Sequence, residues 1–192
     1  IVATIFRENQ IPIPPALAGL LLGAVLSDTM DFHSPTTTDR DIQTANILAA
    51  IADLDIDTFA EEMFRITSNQ EKMSFSDMLN QDLKIYDLFS CKLSISQVIV
   101  PSAKETRTDS REILAALDRF AQKKRIDLAV LVFTSILENG SVIYAGGSRA
   151  PWAAEAFPNA DGEDHSFQEN LLSRKQQILP ALTGVITEYI GG

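Results

Sequence analysis

Apolar positions along this chain change their period near residue 80. Before it they recur every three to four residues; after it, alternating and continuous apolar runs appear. Ile1, Val2, Ile5 and Phe6 share helical spacing, so the chain is expected to open inside a helix. That fits a fragment, a cleavage product or a domain, and equally a protein short of a few leading residues. Pro14-Pro15 followed by the apolar run 16–26 predicts a short helix with proline in its first turn, buried on all sides. It leads into Ser27-Asp28-Thr29. Ser34-Pro35-Thr36-Thr37-Thr38 reads as a loop, and Thr38 with Asp41 as a capping box that starts a helix to about Ile51. A further helix is expected over 57–67, and Ser74 with Asp77 caps a short one after it.

Beyond residue 80 the pattern is strand-like. Lys84-Ile85-Tyr86 and Leu93-Ser94-Ile95-Ser96-Gln97-Val98 alternate with period two, with a hairpin expected at Cys91-Lys92. Residues 109–124 form an amphipathic helix, with Ile113, Leu114, Leu117, Phe120 and Ala121 on one face. The apolar run 128–137 predicts a central strand, Glu138-Asn139-Gly140-Ser141 a turn, and 142–145 a return strand. A helix over 151–157, an acidic loop to Glu169 and a last helix from near Gln176 to Ile190 complete the reading. The expected fold class is α/β: a mixed sheet flanked by helices, preceded by a helical segment, with a boundary between residues 59 and 80.

Composition narrows the function classes. Sixteen Lys+Arg against 26 Asp+Glu give a net charge of −10, which disfavours nucleic acid and anionic membrane as partners. No apolar run reaches membrane-spanning length. One cysteine, Cys91, permits no internal disulfide and suits a reducing cytoplasm. His33 and His165 sit in loops without a metal-pair spacing and read as surface residues. Gly146-Gly147 lacks the lysine and helix of a phosphate loop, and no serine has the context of a nucleophile elbow.

Against that acidic background, Ser173-Arg174-Lys175-Gln176-Gln177 places two cations side by side before an apolar run, while 151–170 holds no Lys or Arg. A local positive spot suits a compact phosphate-rich ligand, and a helix starting near Gln176 would add its free amides. By itself the pair also reads as solvated surface at an element boundary. Asp28, at the end of an apolar helix, is either a loop cap or a metal ligand, since a carboxylate there must be satisfied. Lys84, at the mouth of the first strand, is either surface or within reach of a ligand. Tyr86 and Phe89 read as core rather than as base-stacking residues.

Four segments, in order and at compatible spacing, together resemble the manganese-dependent (family II) inorganic pyrophosphatases of the DHH phosphoesterase superfamily. They are Leu20-Leu21-Leu22-Gly23-Ala24-Val25-Leu26 into Ser27-Asp28-Thr29, Phe32-His33-Ser34-Pro35-Thr36, Gln81-Asp82-Leu83-Lys84, and Ser173-Arg174-Lys175-Gln176-Gln177. The resemblance covers essentially the whole chain. It implies that residues 1–65 are the C-terminal helical portion of a DHH domain with its linker, and 66–192 a DHH-associated domain that closes over substrate. It implies Asp28 as a metal ligand, and Lys84, Arg174 and Lys175 as phosphate-binding residues, Arg174 and Lys175 acting in catalysis. The cofactor implied is Mn²⁺, with Co²⁺ or Mg²⁺ as substitutes, and most ligands would lie in an N-terminal DHH domain that this chain lacks. The implied substrate is diphosphate, the implied location cytoplasmic, and a homodimer of the parent is compatible. The isolated chain is expected to be inactive. Departures are Gln176 where the family usually has a second lysine, Ser135 where it often has aspartate, and His33 in place of Lys or Arg. They leave open a short-chain polyphosphatase, and a non-catalytic anion-binding or interaction domain is the reading from a different class. An inserted CBS pair, found in some members, would lie outside this chain.

Overall fold

The structure is a computed structural model that describes residues 1–67, 74–104, 109–158 and 167–191. The chain divides into two compact units, Ile1–Ser68 and Asn69–Gly192.

The first unit is helical. Helices α1 (Val2–Glu8), α2 (Pro15–Thr29), α3 (Asp39–Ala52) and α4 (Ile56–Thr67) follow the sequence pattern closely. Proline at the first helical position of α2 costs no hydrogen bond, because that amide has no partner within the helix. The capping box of α3 is complete: Asp41 N–H donates to Thr38 Oγ1 at 3.4 Å, and Thr38 N–H donates to Asp41 Oδ2 at 3.0 Å. Ala18, Leu22 and Leu26 of α2 are buried, as are Ala45, Leu48 and Ala49 of α3. Small residues let these helices approach closely, and Gly23 faces the Phe59 ring and Met63 Sδ of α4. The expectation that α2 is buried all round is corrected: Leu20 is 74% exposed, so one side of the helix is open.

The second unit is a five-stranded sheet in the order β1 (Lys84–Leu88), β2 (Cys91–Ile99), β3 (Leu128–Ser135), β4 (Gly140–Gly146) and β5 (Phe167–Glu169). Only β2 and β3 are parallel; the other neighbours run antiparallel. A parallel pair needs a crossover, and α6 (Ser110–Lys124) supplies it. Asp109 caps α6 by accepting the Arg111 N–H at 2.9 Å. With α5 (Phe75–Asn80), α6 covers one face of the sheet, over Ala129, Leu131, Phe133, Val142 and Tyr144. Helices α7 (Pro151–Ala156) and α8 (Leu179–Ile190) cover the other, over Leu93, Ile95, Leu128, Val130, Val132 and Ile143. Every residue of β3 is buried, as its continuous apolar run requires of a central strand.

Several local expectations change. The first hairpin turns at Phe89-Ser90, so Cys91-Lys92 already belong to β2. Phe89 is 65% exposed with φ 54°, not core, whereas Tyr86 packs against the sheet. Gly140 and Ser141 lie in β4, and the preceding turn is tighter than the sequence reading allowed. Phe167–Glu169 is a short edge strand instead of the end of a loop. Period-two alternation is compatible with one wet face, yet Ser94 and Ser96 are buried because helices cover both faces. Burial there is met by hydrogen bonding: Ser96 Oγ donates to the Leu79 carbonyl at 2.6 Å.

Candidate functional site

The segment from Arg174 to Ile190 is helical throughout but does not keep one period. Ser173 is extended, and its hydroxyl accepts the Gln176 N–H at 3.2 Å. Its carbonyl accepts both Gln177 N–H at 3.0 Å and Ile178 N–H at 3.1 Å, the second closing a π-helical turn, Arg174–Ile178, that runs into α8. Pro180 gives the physical reason: it has no N–H for the Gln176 carbonyl, and its ring crowds that oxygen in a regular helix. A widened first turn relieves the crowding, and such turns recur at functional sites. The helical turn thus opens at Arg174 instead of near Gln176, and the amides of Gln176, Gln177 and Ile178 bond to Ser173 rather than standing free.

Arg174 is the most constrained cation of the motif. Its side chain is 15% exposed and pairs with Asp82, Nη1 lying 2.8 Å from Oδ2. Nη2 donates to Asp82 Oδ1 at 3.3 Å, and Nη1 donates to the Asp82 carbonyl as well. Asp82 stands between α5 and β1 with φ 43°, a left-handed conformation that aspartate tolerates better than most residues. Both Nη1 and Nη2 are so engaged by Asp82. Lys84 follows Asp82 by two residues, exposed at the first position of β1. Lys175 and Gln176 are exposed beside Arg174. The Asp82 tie therefore joins two of the motifs, between residues 92 positions apart in the sequence.

Two contributors escaped sequence reasoning. Asp82 was visible only as part of a motif string, with nothing to show that it meets Arg174. Gln177 closes its motif, and its Oε1 accepts Leu172 N–H at 3.0 Å and Ser173 N–H at 2.8 Å. Its Nε2 donates to the Asn170 carbonyl at 2.6 Å. One side chain thereby folds the backbone that leads into Arg174.

In the first unit, Asp28 lies exposed in the last turn of α2. The next residues, Met30, Asp31 and Phe32, are all left-handed, with φ 50°, 52° and 64°. Thr29 holds this turn: its hydroxyl accepts Phe32 N–H at 3.2 Å and donates to the Val25 carbonyl at 2.8 Å. Burial raises the Asp31 pKa above its ordinary 3.8, with His33 opposing the rise and Asp57 adding to it. His33 is exposed, its Nδ1 3.2 Å from the Met30 carbonyl. His165 lies outside the described residues. Among the described residues, no group of three or more His, Cys, Asp or Glu side chains could hold a metal ion. A lone exposed carboxylate does not fit a divalent cation, which asks for several oxygen ligands. Ser135, where aspartate was the family expectation, is structural: it donates to the Pro101 carbonyl at 2.8 Å and accepts Glu138 N–H at 3.2 Å.

The manganese-dependent inorganic pyrophosphatase of Bacillus subtilis is 32% identical over 183 residues, covering 95% of this chain and 59% of that protein. The cobalt-dependent inorganic pyrophosphatase of Clostridium perfringens is 34% identical over 190 residues, 99% of this chain and 35% of that one. Among solved structures, a Methanococcus jannaschii protein described as a candidate family II inorganic pyrophosphatase matches with TM-score 0.75 and 31% identity, over 100% of this chain and 64% of that one. The chain thus spans about three fifths of the Bacillus relative's length. The DHHA2 domain model matches residues 61–185, which include Asp82, Lys84 and the whole Arg174 motif. This chain belongs to the DHHA2 domain family.

Proposed function

We propose that this chain is the substrate-gripping part of a manganese- or cobalt-dependent inorganic pyrophosphatase, and that Arg174, Lys175 and Lys84 hold the phosphoryl oxygens of diphosphate. The observation that carries the reading is the docked guanidinium of Arg174. Asp82 occupies its Nη1/Nη2 end, which leaves the Nε/Nη2 side as a planar fork of the spacing that two phosphate oxygens match. Lys84 and Lys175, both exposed, add positive charge without the directionality of that fork. The names of the relatives support diphosphate as the substrate and Mn²⁺ or Co²⁺ as the metal.

Diphosphate is highly charged, so its hydrolysis needs neutralisation before water can approach phosphorus. Metal ions, held by the full-length protein, would supply a water of lowered pKa and polarise the phosphoryl group. The described residues offer Asp28 alone toward such ions, so the chemistry assigned to this chain is the binding and orientation of phosphate. Arg174 fixes the plane of one phosphoryl group, and the two lysines stabilise charge that grows on the leaving phosphate. Net charge −10 keeps the surrounding surface unattractive to nucleic acid. The single cysteine, buried and unpaired, is consistent with a cytoplasmic parent.

The test uses the full-length protein with Mn²⁺. Arg174→Ala, Lys175→Ala and Lys84→Ala should each lower kcat/KM for diphosphate by about one to two decades, the loss of one charge-assisted contact, with circular dichroism unchanged. Unchanged kinetics in all three would return these residues to solvated surface and overturn the reading.

A further inference from the structure

Gln97, Thr134 and Ser141 are buried polar residues on three neighbouring strands. All three side chains point to the α7/α8 face of the sheet, by the alternation that sends Leu93, Ile95, Val130, Val132 and Ile143 there. Thr134 and Ser141 are direct cross-strand partners, and Gln97 pairs with Val132, one side-chain step away. Gln97 Nε2 donates to Thr134 Oγ1 at 2.9 Å and to the Leu172 carbonyl at 2.9 Å. Thr134 and Ser141 hydroxyls are 2.8 Å apart, and Ser141 Oγ donates to the Leu171 carbonyl at 2.5 Å.

What the row does hold is specific. Leu171 and Leu172 belong to no strand, yet both carbonyls are fixed to the sheet. From the opposite side Gln177 takes the Asn170 carbonyl and the amides of Leu172 and Ser173. Asn170 is tied in turn to Asn139, through backbone N–H to carbonyl at 2.8 Å and side chain to side chain at 2.7 Å. The backbone from Asn170 to Ser173 is thus bound by side chains on both edges immediately before Arg174. We propose that Gln97, Thr134, Ser141 and Gln177 are positioning residues: a frame that fixes the path of residues 170–173 and so sets where Arg174 and Lys175 meet a phosphoryl group. The part of this that concerns diphosphate rests on the function proposed above; the mechanical part does not.

Two readouts on this chain separate the parts. Hydrogen exchange of the Leu172 and Ser173 amides, followed by NMR, reads the frame itself; calorimetric titration with inorganic diphosphate reads its consequence. In Gln97→Met and Ser141→Ala, both amides should exchange roughly tenfold faster, and the Kd for diphosphate should rise roughly tenfold, as loss of one buried hydrogen bond implies. The amides of Val130 and Val132 in β3 should keep their protection. Thr134→Ser, which retains the hydroxyl, should match the parent chain in both readouts, while Thr134→Val should not. If Gln97→Met does not fold, Ser141→Ala decides by the same measurements. Unaltered exchange at Leu172 and Ser173 overturns the frame. Faster exchange with unchanged diphosphate affinity overturns its role in positioning. A parent chain that binds no diphosphate overturns the proposed function instead, and the exchange data then decide the frame alone.

Discussion

The ion pair between Arg174 and Asp82 is open to a double-substitution cycle. The perturbations are Asp82→Ala, Arg174→Met and the two combined, methionine keeping the packing of the arginine stem. The Nη1–Oδ2 separation is 2.8 Å, with a second contact from Nη2 at 3.3 Å, so the geometry is that of a two-pronged charge-assisted bond. Such bonds contribute about 1.5–3 kcal/mol when enclosed. Arg174 is 15% exposed but Asp82 is 54% exposed, and exposed pairs contribute only about 0.2–1 kcal/mol. The bond from Nη1 to the Asp82 main-chain carbonyl survives loss of the carboxylate, so the guanidinium keeps part of its anchorage. The expected coupling is therefore about 1–1.5 kcal/mol, between the two limits. Urea unfolding followed by Trp152 fluorescence measures it: Trp152 is the chain's one tryptophan, buried at 6% exposure in the second unit. Raising the salt concentration should shrink the coupling through its exposed half. A coupling within about 0.3 kcal/mol of zero would show the pair to be solvated surface and would remove the argument that Asp82 orients Arg174.

Other expectations follow from single features. A Cβ at Gly140 would stand 2.3 Å from the Phe167 ring and 2.6 Å from the Gln168 carbonyl, so Gly140→Ala should cost about 1–3 kcal/mol in urea unfolding and detach β5; equal stability would place the edge strand wrongly. Hydrogen bonds from Thr38 to Asp41, and from Thr58 to Asp55, depress both carboxyl pKa values below the ordinary 3.8. Their contribution to the first unit is complete above that value and is lost as pH falls through the depressed ones, so acid titration should unfold a Thr38→Val, Thr58→Val variant with a shallower pH dependence than the parent. An equally steep profile would refute that assignment. Titrating the chain with Mn²⁺ should give no stoichiometric micromolar site, because Asp28 stands exposed without other ligands among the described residues; a micromolar site abolished by Asp28→Asn would show a fuller ligand set.

The sequence by itself determined the elements whose causes are local. The capping box at Thr38, the caps at Ser74 and Asp109, proline at the start of α2 and the apolar run of β3 depend on residues within a few positions of one another. The motif strings around Lys84 and Arg174 were legible for the same reason, as was the acidic setting that made two adjacent cations stand out. Only tertiary structure decided the contacts between distant segments. That Asp82 meets Arg174 depends on the turn before β1 and the π-helical turn before α8 coming together, which no spacing encodes. The burial of Ser94, Ser96 and Gln97 required helices on both faces of β2, whereas alternation alone is compatible with one wet face. The π-helical turn at Arg174–Ile178 had a local cause in Pro180, but its consequence did not. Periodicity places a side chain on a face; what it touches there depends on how the chain returns, and the partners of Gln97 and Gln177 include main-chain carbonyls and amides whose identity no side-chain pattern carries.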